Sequence, residues 1–326
     1  MTHRNRIGGV IATAGLFLAA CNSGGSSTPA APASISTTTM STTTTTTSTT
    51  TTTAPATCRM GTGYVPGTAV HPITVAGAAR ELIVHIPPEP KAGMRLVVDF
   101  HGAGSNMQQQ DLYSGFDRLA DKEGFVVATP NGVDAPIRQW RFLDPRDIAF
   151  AKAIVSTLTR DACVDPAHAY ATGISSGGAM TTSLACRASD VFAGFGPVAA
   201  EFYNDRYCGA ARPRPLIIFH GTADMVVPYA GGEVATGQGL TVRNTEDTAA
   251  QWAEHNGCTA GPVTTKIGSE VTRLSWNGCD APVVLYRIDG GGHTWPGAPV
   301  DLDRLGLTTH QISATDEMWK FFSENG

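Results

Sequence analysis

The sequence predicts an α/β domain: a mostly parallel central sheet with helices on both faces. Short continuous apolar runs such as Leu96-Val97-Val98 and Leu216-Ile217-Ile218 read as strands buried on both faces. These runs alternate with helical stretches, the pattern of strand–helix–strand units. Of the 326 residues, 42% are hydrophobic and 16% charged, enough to build a large core.

The elements follow in order. Arg80–Ile86 and Arg95–Phe100 read as strands. Met107–Lys122 reads as one helix, stopped by Gly124, and Phe125–Ala128 as a short buried strand. Pro130–Arg146 is a long loop carrying Trp140, followed by a helix over Asp147–Arg160. Ala167–Thr172 is a strand, Gly177–Arg187 a small-residue helix and Phe192–Ala199 a strand. Leu216–His220 (strand), Asn244–Asn256 (helix), Arg273–Trp276 and Val283–Ile288 (strands) and Ser313–Phe322 (helix) complete the domain. In such sheets a site lies beyond the carboxyl ends of the strands.

The N-terminal part is not core. Residues 1–21 read as an export signal: Arg4 and Arg6, then a short apolar stretch from Ile7 to Ala20. It ends Leu18-Ala19-Ala20-Cys21, which resembles a lipobox, so Cys21 is expected to carry lipid and anchor the chain to a membrane. Residues 22–57 carry no charge, and Thr37–Thr53 holds 14 Thr, so this segment reads as a disordered linker. Residues 58–326 remain as one catalytic domain of 269 residues.

Charge excludes one class of partner. The chain carries 23 − 28 = −5, and removing Arg4 and Arg6 leaves 21 − 28 = −7, so no basic footprint for nucleic acid exists. No apolar run reaches the roughly 18 residues of a membrane span, so contact with a membrane is expected only through Cys21. Besides Cys21 there are six Cys, which in an exported domain suggest three disulfides. Local spacing favours Cys186–Cys208 and Cys258–Cys279 and leaves Cys58–Cys163. No Cys/His cluster has metal spacing, so no metal or other cofactor is expected.

Three strand ends carry chemistry. Gly173-Ile174-Ser175-Ser176-Gly177 lies between a strand and a helix and fits G-x-S-x-G, a turn that lifts the Ser oxygen above the sheet. Asp224 follows the strand ending at His220, and Glu201, beyond the preceding strand, is the rival acid. His293 follows three glycines after the last strand, where a general base belongs. The order Ser175, Asp224, His293 is that of the α/β-hydrolases. Two oxyanion donors are expected: the amide of Ser176, and the amide of Ala103 in His101-Gly102-Ala103-Gly104-Ser105, with Gly102 its neighbour.

These blocks, with Thr129-Pro-Asn-Gly132, Tyr170 to Met180, His220 to Tyr229 and Gly292-His293-Thr-Trp-Pro-Gly297, occur in order. Together they resemble the polyhydroxybutyrate depolymerase and feruloyl esterase group, including its mycobacterial lipoprotein esterases. The resemblance implies an α/β-hydrolase fold and ester cleavage with Ser175 as nucleophile, Asp224 as acid and His293 as base. Ala103-Gly104-Ser105 stands where polymer depolymerases of the group often have Cys-Thr-Gln, and no polymer-binding module is read after the catalytic blocks.

The expectation is therefore an extracytoplasmic serine esterase, monomeric, taking small or oligomeric esters with short-chain, hydroxyalkanoate or aromatic acyl groups. Trp140 and Trp295 are candidate walls of the acyl pocket, with ordinary packing as the alternative. Lacking a long lid segment, the chain is expected to have little room for acyl chains of about twelve carbons or more. The other classes open at this point are a peptidase or amidase with the same triad, and a non-catalytic surface-binding lipoprotein.

Overall fold

In the computed structural model, the residues described are 59–134, 137–235 and 239–326. The signal segment with Cys21, the linker 22–57 and Cys58 lie outside them.

The first strands are β1 (Gly67–Val75), β2 (Ala78–Ile86), β3 (Met94–Phe100) and β4 (Val126–Pro130). Next come β5 (Val164–Ile174), β6 (Gly194–Val198) and β7 (Leu216–Gly221). Last are β8 (Ala260–Ile267), β9 (Val271–Asn277) and β10 (Val283–Ile288). They form one sheet in the order β1-β2-β4-β3-β5-β6-β7-β10-β9-β8. From β4 to β10 in that order all neighbours pair parallel, while the outer strands on both sides pair antiparallel.

The inner strands are apolar throughout because both faces are covered. Successive side chains of a strand point to opposite faces. Leu96, Val98 and Phe100 of β3 and Leu216 and Ile218 of β7 pack into one core. That core is closed by α3 (Pro145–Asp161), α4 (Ser176–Arg187) and α5 (Thr245–His255). Val97, Ile217 and Phe219 pack into the other, under α2 (Phe116–Glu123) and α6 (Ala314–Asn325). A buried Phe such as Phe219 cut to Ala would cost roughly 3–5 kcal/mol.

The helices start where their caps sit. The Asp144 side chain accepts from Arg146 N before Pro145 opens α3, and the Asn244 side chain accepts from the first-turn amides of α5.

Two differences from the sequence reading have local causes. The expected helix 107–122 is split into α1 (Met107–Ser114) and α2 because Gly115, at φ 66°, takes the left-handed conformation that ends a helix. Strands β1 and β8 have no counterpart in the sequence pattern because both are margin strands with mostly exposed side chains, so neither shows a buried apolar run.

Candidate active site

The site lies beyond the carboxyl ends of β3, β5, β7 and β10. The turn from β5 into α4 is the tightest part. Ser175 has φ 58° and ψ −120°, and its amide donates to Val198 O at 2.9 Å. A non-glycine residue held there stores about 1–3 kcal/mol of strain, which the surrounding packing must offset. That packing requires glycine at both flanks. A Cβ on Gly177 would lie 1.9 Å from Phe100 O, and one on Gly173 would lie 2.4 Å from the same oxygen. Ser175 occupies the cap position of α4 yet makes no side-chain cap bond, unlike the caps of α1, α3, α5 and α6. Its hydroxyl is thus not spent on the helix.

Asp224 follows β7 in a turn. Its Oδ1 accepts the amides of Val226 and Val227, both at 2.8 Å, and its Oδ2 lies 2.7 Å from His293 Nδ1. Burial alone would raise the Asp224 pKa; hydrogen bonds from His220 and His293, and their charges, outweigh it and hold the carboxyl well below its usual range. His293 is fixed from behind by its own amide, which donates to Leu305 O at 2.7 Å. With Nδ1–H donating to Asp224, Nε2 keeps the lone pair. Ser175 and His293 border one cavity.

Ala103 and Ser176 border the same cavity, and neither backbone N–H has an acceptor among the described residues. The next amide, Gly104 N, is engaged by Arg138 O at 2.7 Å. His101 anchors this loop as a neutral ring: Nδ1–H donates to Gly102 O at 2.7 Å, and Nε2 accepts Gly132 N–H at 2.9 Å. Burial pushes its pKa down to about 4.

The two tryptophans separate. Trp140 borders the cavity. Its Nε1 donates to His101 O at 3.0 Å and its backbone N–H donates to Ser176 Oγ at 3.1 Å, so it also braces the loop. Trp295 does not border the cavity. It is fully buried, edge-on to Phe116 at 6.1 Å, and Nε1 donates to Thr315 Oγ1 at 3.0 Å. The expected role of Trp295 as a pocket wall is corrected to core packing. The chain after His293 turns inward, and the indole N–H finds its partner on α6.

Glu201, the rival acid, is aimed elsewhere: both carboxylate oxygens lie 3.0 Å from His220 Nδ1. His220 is the residue that sequence reading passed over. It stood only within a block around Asp224, and nothing in its spacing signals a buried ion pair.

The cavity measures about 860 Å³. That is toward the upper end of the roughly 300–1,000 Å³ of small-molecule pockets. Leu112, Ile137, Leu143, Leu240 and Val300 line it and are exposed. These are five of the ten exposed large hydrophobic residues of the described chain, so exposed apolar surface concentrates at this mouth. The expectation of little room for long acyl chains is corrected accordingly: the wall is built by Leu112 of α1 and by residues from separate segments around 137–143, 240 and 300, not by one lid segment.

The described chain also holds the disulfides Cys186–Cys208 and Cys258–Cys279.

The chain is similar to known proteins in sequence and in fold. The family model described as Esterase PHB depolymerase matches residues 82–211. Feruloyl esterase C of Emericella nidulans is 30% identical over 274 residues, covering 79% of this chain and 90% of that protein. Feruloyl esterase B of Piromyces equi is 32% identical over 209 residues, 61% of this chain, and the chain spans 39% of that protein's length. In fold, the acetyl xylan esterase from Aspergillus awamori superposes with a TM-score of 0.59 at 17% identity, over 78% of this chain and 99% of that one. With its α/β-hydrolase sheet and these matches, the chain belongs to the polyhydroxybutyrate depolymerase and feruloyl esterase family, a family of carboxylic ester hydrolases.

Proposed function

We propose that the chain is an extracytoplasmic serine esterase working through an acyl-enzyme. One observation carries the reading. Ser175, held at positive φ on the strand–helix turn, borders the same cavity as a His293 whose Nδ1 is committed to Asp224.

In this reading His293 Nε2 takes the Ser175 hydroxyl proton as Oγ attacks the ester carbonyl carbon. Asp224 holds the ring and balances its charge. The amides of Ser176 and Ala103 donate to the oxygen that becomes negative, each worth roughly 2.7–4 kcal/mol in the transition state. The C–O bond then breaks, and His293 returns the proton to the leaving alcohol. Water, giving a proton to His293, attacks the acyl-enzyme; the acid leaves and Ser175 regains its proton.

The apolar lining supports a short-chain, hydroxyalkanoate or aromatic acyl group, with Trp140 as the flat wall. Relatives named feruloyl esterases favour the aromatic option. A longer-chain acyl ester is the second reading, favoured by the cavity volume and its exposed apolar mouth. The catalytic domain, residues 58–326, sits in this reading behind a signal peptide and a linker, tethered by lipid on Cys21. Two disulfides support an oxidising compartment.

Labelling with a fluorophosphonate probe tests the proposal. The label is expected on the peptide containing Ser175 and absent in Ser175→Ala. Ester hydrolysis by a protein that takes no label would reject it.

A further inference from the structure

Behind Asp224 lies a second buried acid–base pair that the reaction above does not use. His220, in β7, is 2% exposed and Glu201, beyond β6, is 6% exposed. Glu201 presents both carboxylate oxygens to His220 Nδ1 at 3.0 Å. On the other side of the ring, Nε2 lies 2.9 Å from Val227 O and 3.3 Å from Asp224 Oδ2.

The other neighbours are also placed. Thr245 Oγ1, on the first turn of α5, is 3.1 Å from Nδ1. The Tyr229 ring stands edge-on at 5.5 Å, with its hydroxyl donating to Glu246, which pairs with Arg287. Arg287 is the register partner of His220 on the neighbouring strand β10, but its side chain pairs with Glu246 and Asp289, so Glu201 and Asp224 are the charges that touch the ring.

A neutral imidazole offers one donor and one acceptor. Here a carboxylate faces one nitrogen, and a carbonyl and a second carboxylate face the other. The imidazolium satisfies both sides at once. Burial alone would lower the pKa of His220; the charge of Glu201 and the hydrogen bonds to Asp224 and Glu201 outweigh it and raise the value to about 10.

We infer that Glu201 and His220 are positioning residues: together they hold Asp224 ionised and oriented as the acceptor for His293. The inference rests on the esterase reading above. Asp224 Oδ2 receives His220 on one side and His293 on the other, while Oδ1 is held by two amides. The carboxylate therefore cannot rotate away when His293 takes up its proton. Glu201 borders the cavity and His220 does not, so the kinetic test of positioning, separate from substrate binding, is made at His220.

His220→Gln keeps an amide in the ring's place and removes the charge. Its kcat is expected to fall roughly 10- to 100-fold with KM little changed. The Asp224 carboxyl should titrate at higher pH than in the wild type, read by carbon-13 NMR of its Cγ, because it loses a partner that holds its pKa down. Nitrogen-15 NMR of the wild-type protein should find His220 carrying protons on both ring nitrogens at neutral pH. In Glu201→Gln the same ring should titrate nearer neutrality. A singly protonated His220 in the wild type at neutral pH overturns the inference, and that measurement stands even if a variant fails to fold. A folded His220→Gln with unchanged kcat and unchanged Asp224 titration overturns it as well. Failure of the esterase reading shows separately, as fluorophosphonate labelling absent from Ser175 or full activity in Ser175→Ala.

Discussion

Trp140 and Ser176 are joined in the wall of the cavity: the backbone N–H of Trp140 donates to Ser176 Oγ at 3.1 Å. The same residue's Nε1 donates to His101 O at 3.0 Å, so one tryptophan braces both the Ala103 loop and the first turn of α4. These are the two places that supply the proposed oxyanion donors. Trp140→Phe keeps most of the volume but leaves the His101 carbonyl without its partner. An unfolding loss of about 1–3 kcal/mol is expected, with kcat lowered more than KM is raised. A variant of unchanged stability and kcat would show that the bond to His101 positions nothing.

Ser175→Ala should fold and lose esterase activity, keeping at most the roughly 10³–10⁴-fold acceleration over water that binding and the oxyanion donors supply. Asp224→Asn should fold and be strongly impaired, since the amide no longer stabilises the charged His293 ring. Glu201→Gln, which removes the charge facing His220 and leaves the Asp224–His293 contact in place, should be hurt less than Asp224→Asn. Michaelis–Menten kinetics on p-nitrophenyl butyrate check the ranking, and a Glu201→Gln variant more damaged than Asp224→Asn would reverse the assignment of the acid.

The mature domain is expected to contain three intramolecular disulfides and no free thiol. Thiol titration of unfolded, unreduced protein lacking Cys21 should read zero, and peptide mapping should join Cys186 to Cys208 and Cys258 to Cys279. The pairing of Cys58 with Cys163 is the one such mapping would establish anew. Replacing either mapped pair by Ala should cost about 2–5 kcal/mol in denaturant unfolding. Two or more titratable thiols would refute the count.

Asp99, in β3, is fully buried, with Gln110 Nε2 donating to Oδ1 at 2.9 Å. Burial raises its pKa to about 7, and the hydrogen bond from Gln110 offsets this only in part. A carboxyl whose pKa is raised on folding binds its proton more tightly in the folded state. Its contribution is therefore present at low pH and is lost as pH rises from about 4 through about 7. Asp99→Asn keeps the acceptor and removes the titration. Relative to wild type it should be more favourable at pH 8 than at pH 5, by up to a few kcal/mol, in urea unfolding at both pH values. Equal effects at the two pH values would exclude the buried titration.

Leu143 and Leu240 sit exposed on the cavity's mouth. If a bulky apolar acyl group covers roughly 50 Å² of either side chain, each contributes about 1.3 kcal/mol, or close to tenfold in kcat/KM. Leu240→Asp and Leu143→Asp should therefore lower kcat/KM on aromatic and octanoyl esters by about tenfold and leave acetyl esters nearly unchanged. A uniform loss across the series would place both residues outside substrate recognition.

Much of this protein is legible in its sequence because the information is local. Continuous apolar runs follow from burial on both faces, so the inner strands β3, β4, β6, β7 and β10 could be read directly. The Gly173–Gly177 turn could be read because the close approach to Phe100 O excludes a side chain at either end. The order Ser175, Asp224, His293 follows from where strands end. What the sequence could not determine depends on which way a side chain turns once the chain is packed. Trp140 and Trp295 look equally placed along the chain, yet one faces the cavity and the other fills the core under α6. Glu201 and Asp224 both follow strands, and only the meeting of β6 and β7 turns Glu201 to His220 and leaves Asp224 to His293. The margin strands β1 and β8 carry little burial and so little pattern; pairing with a neighbour, a tertiary event, makes them strands. Periodicity records burial and turn chemistry, whereas partner choice among buried polar groups is decided by distances that exist only in the folded chain.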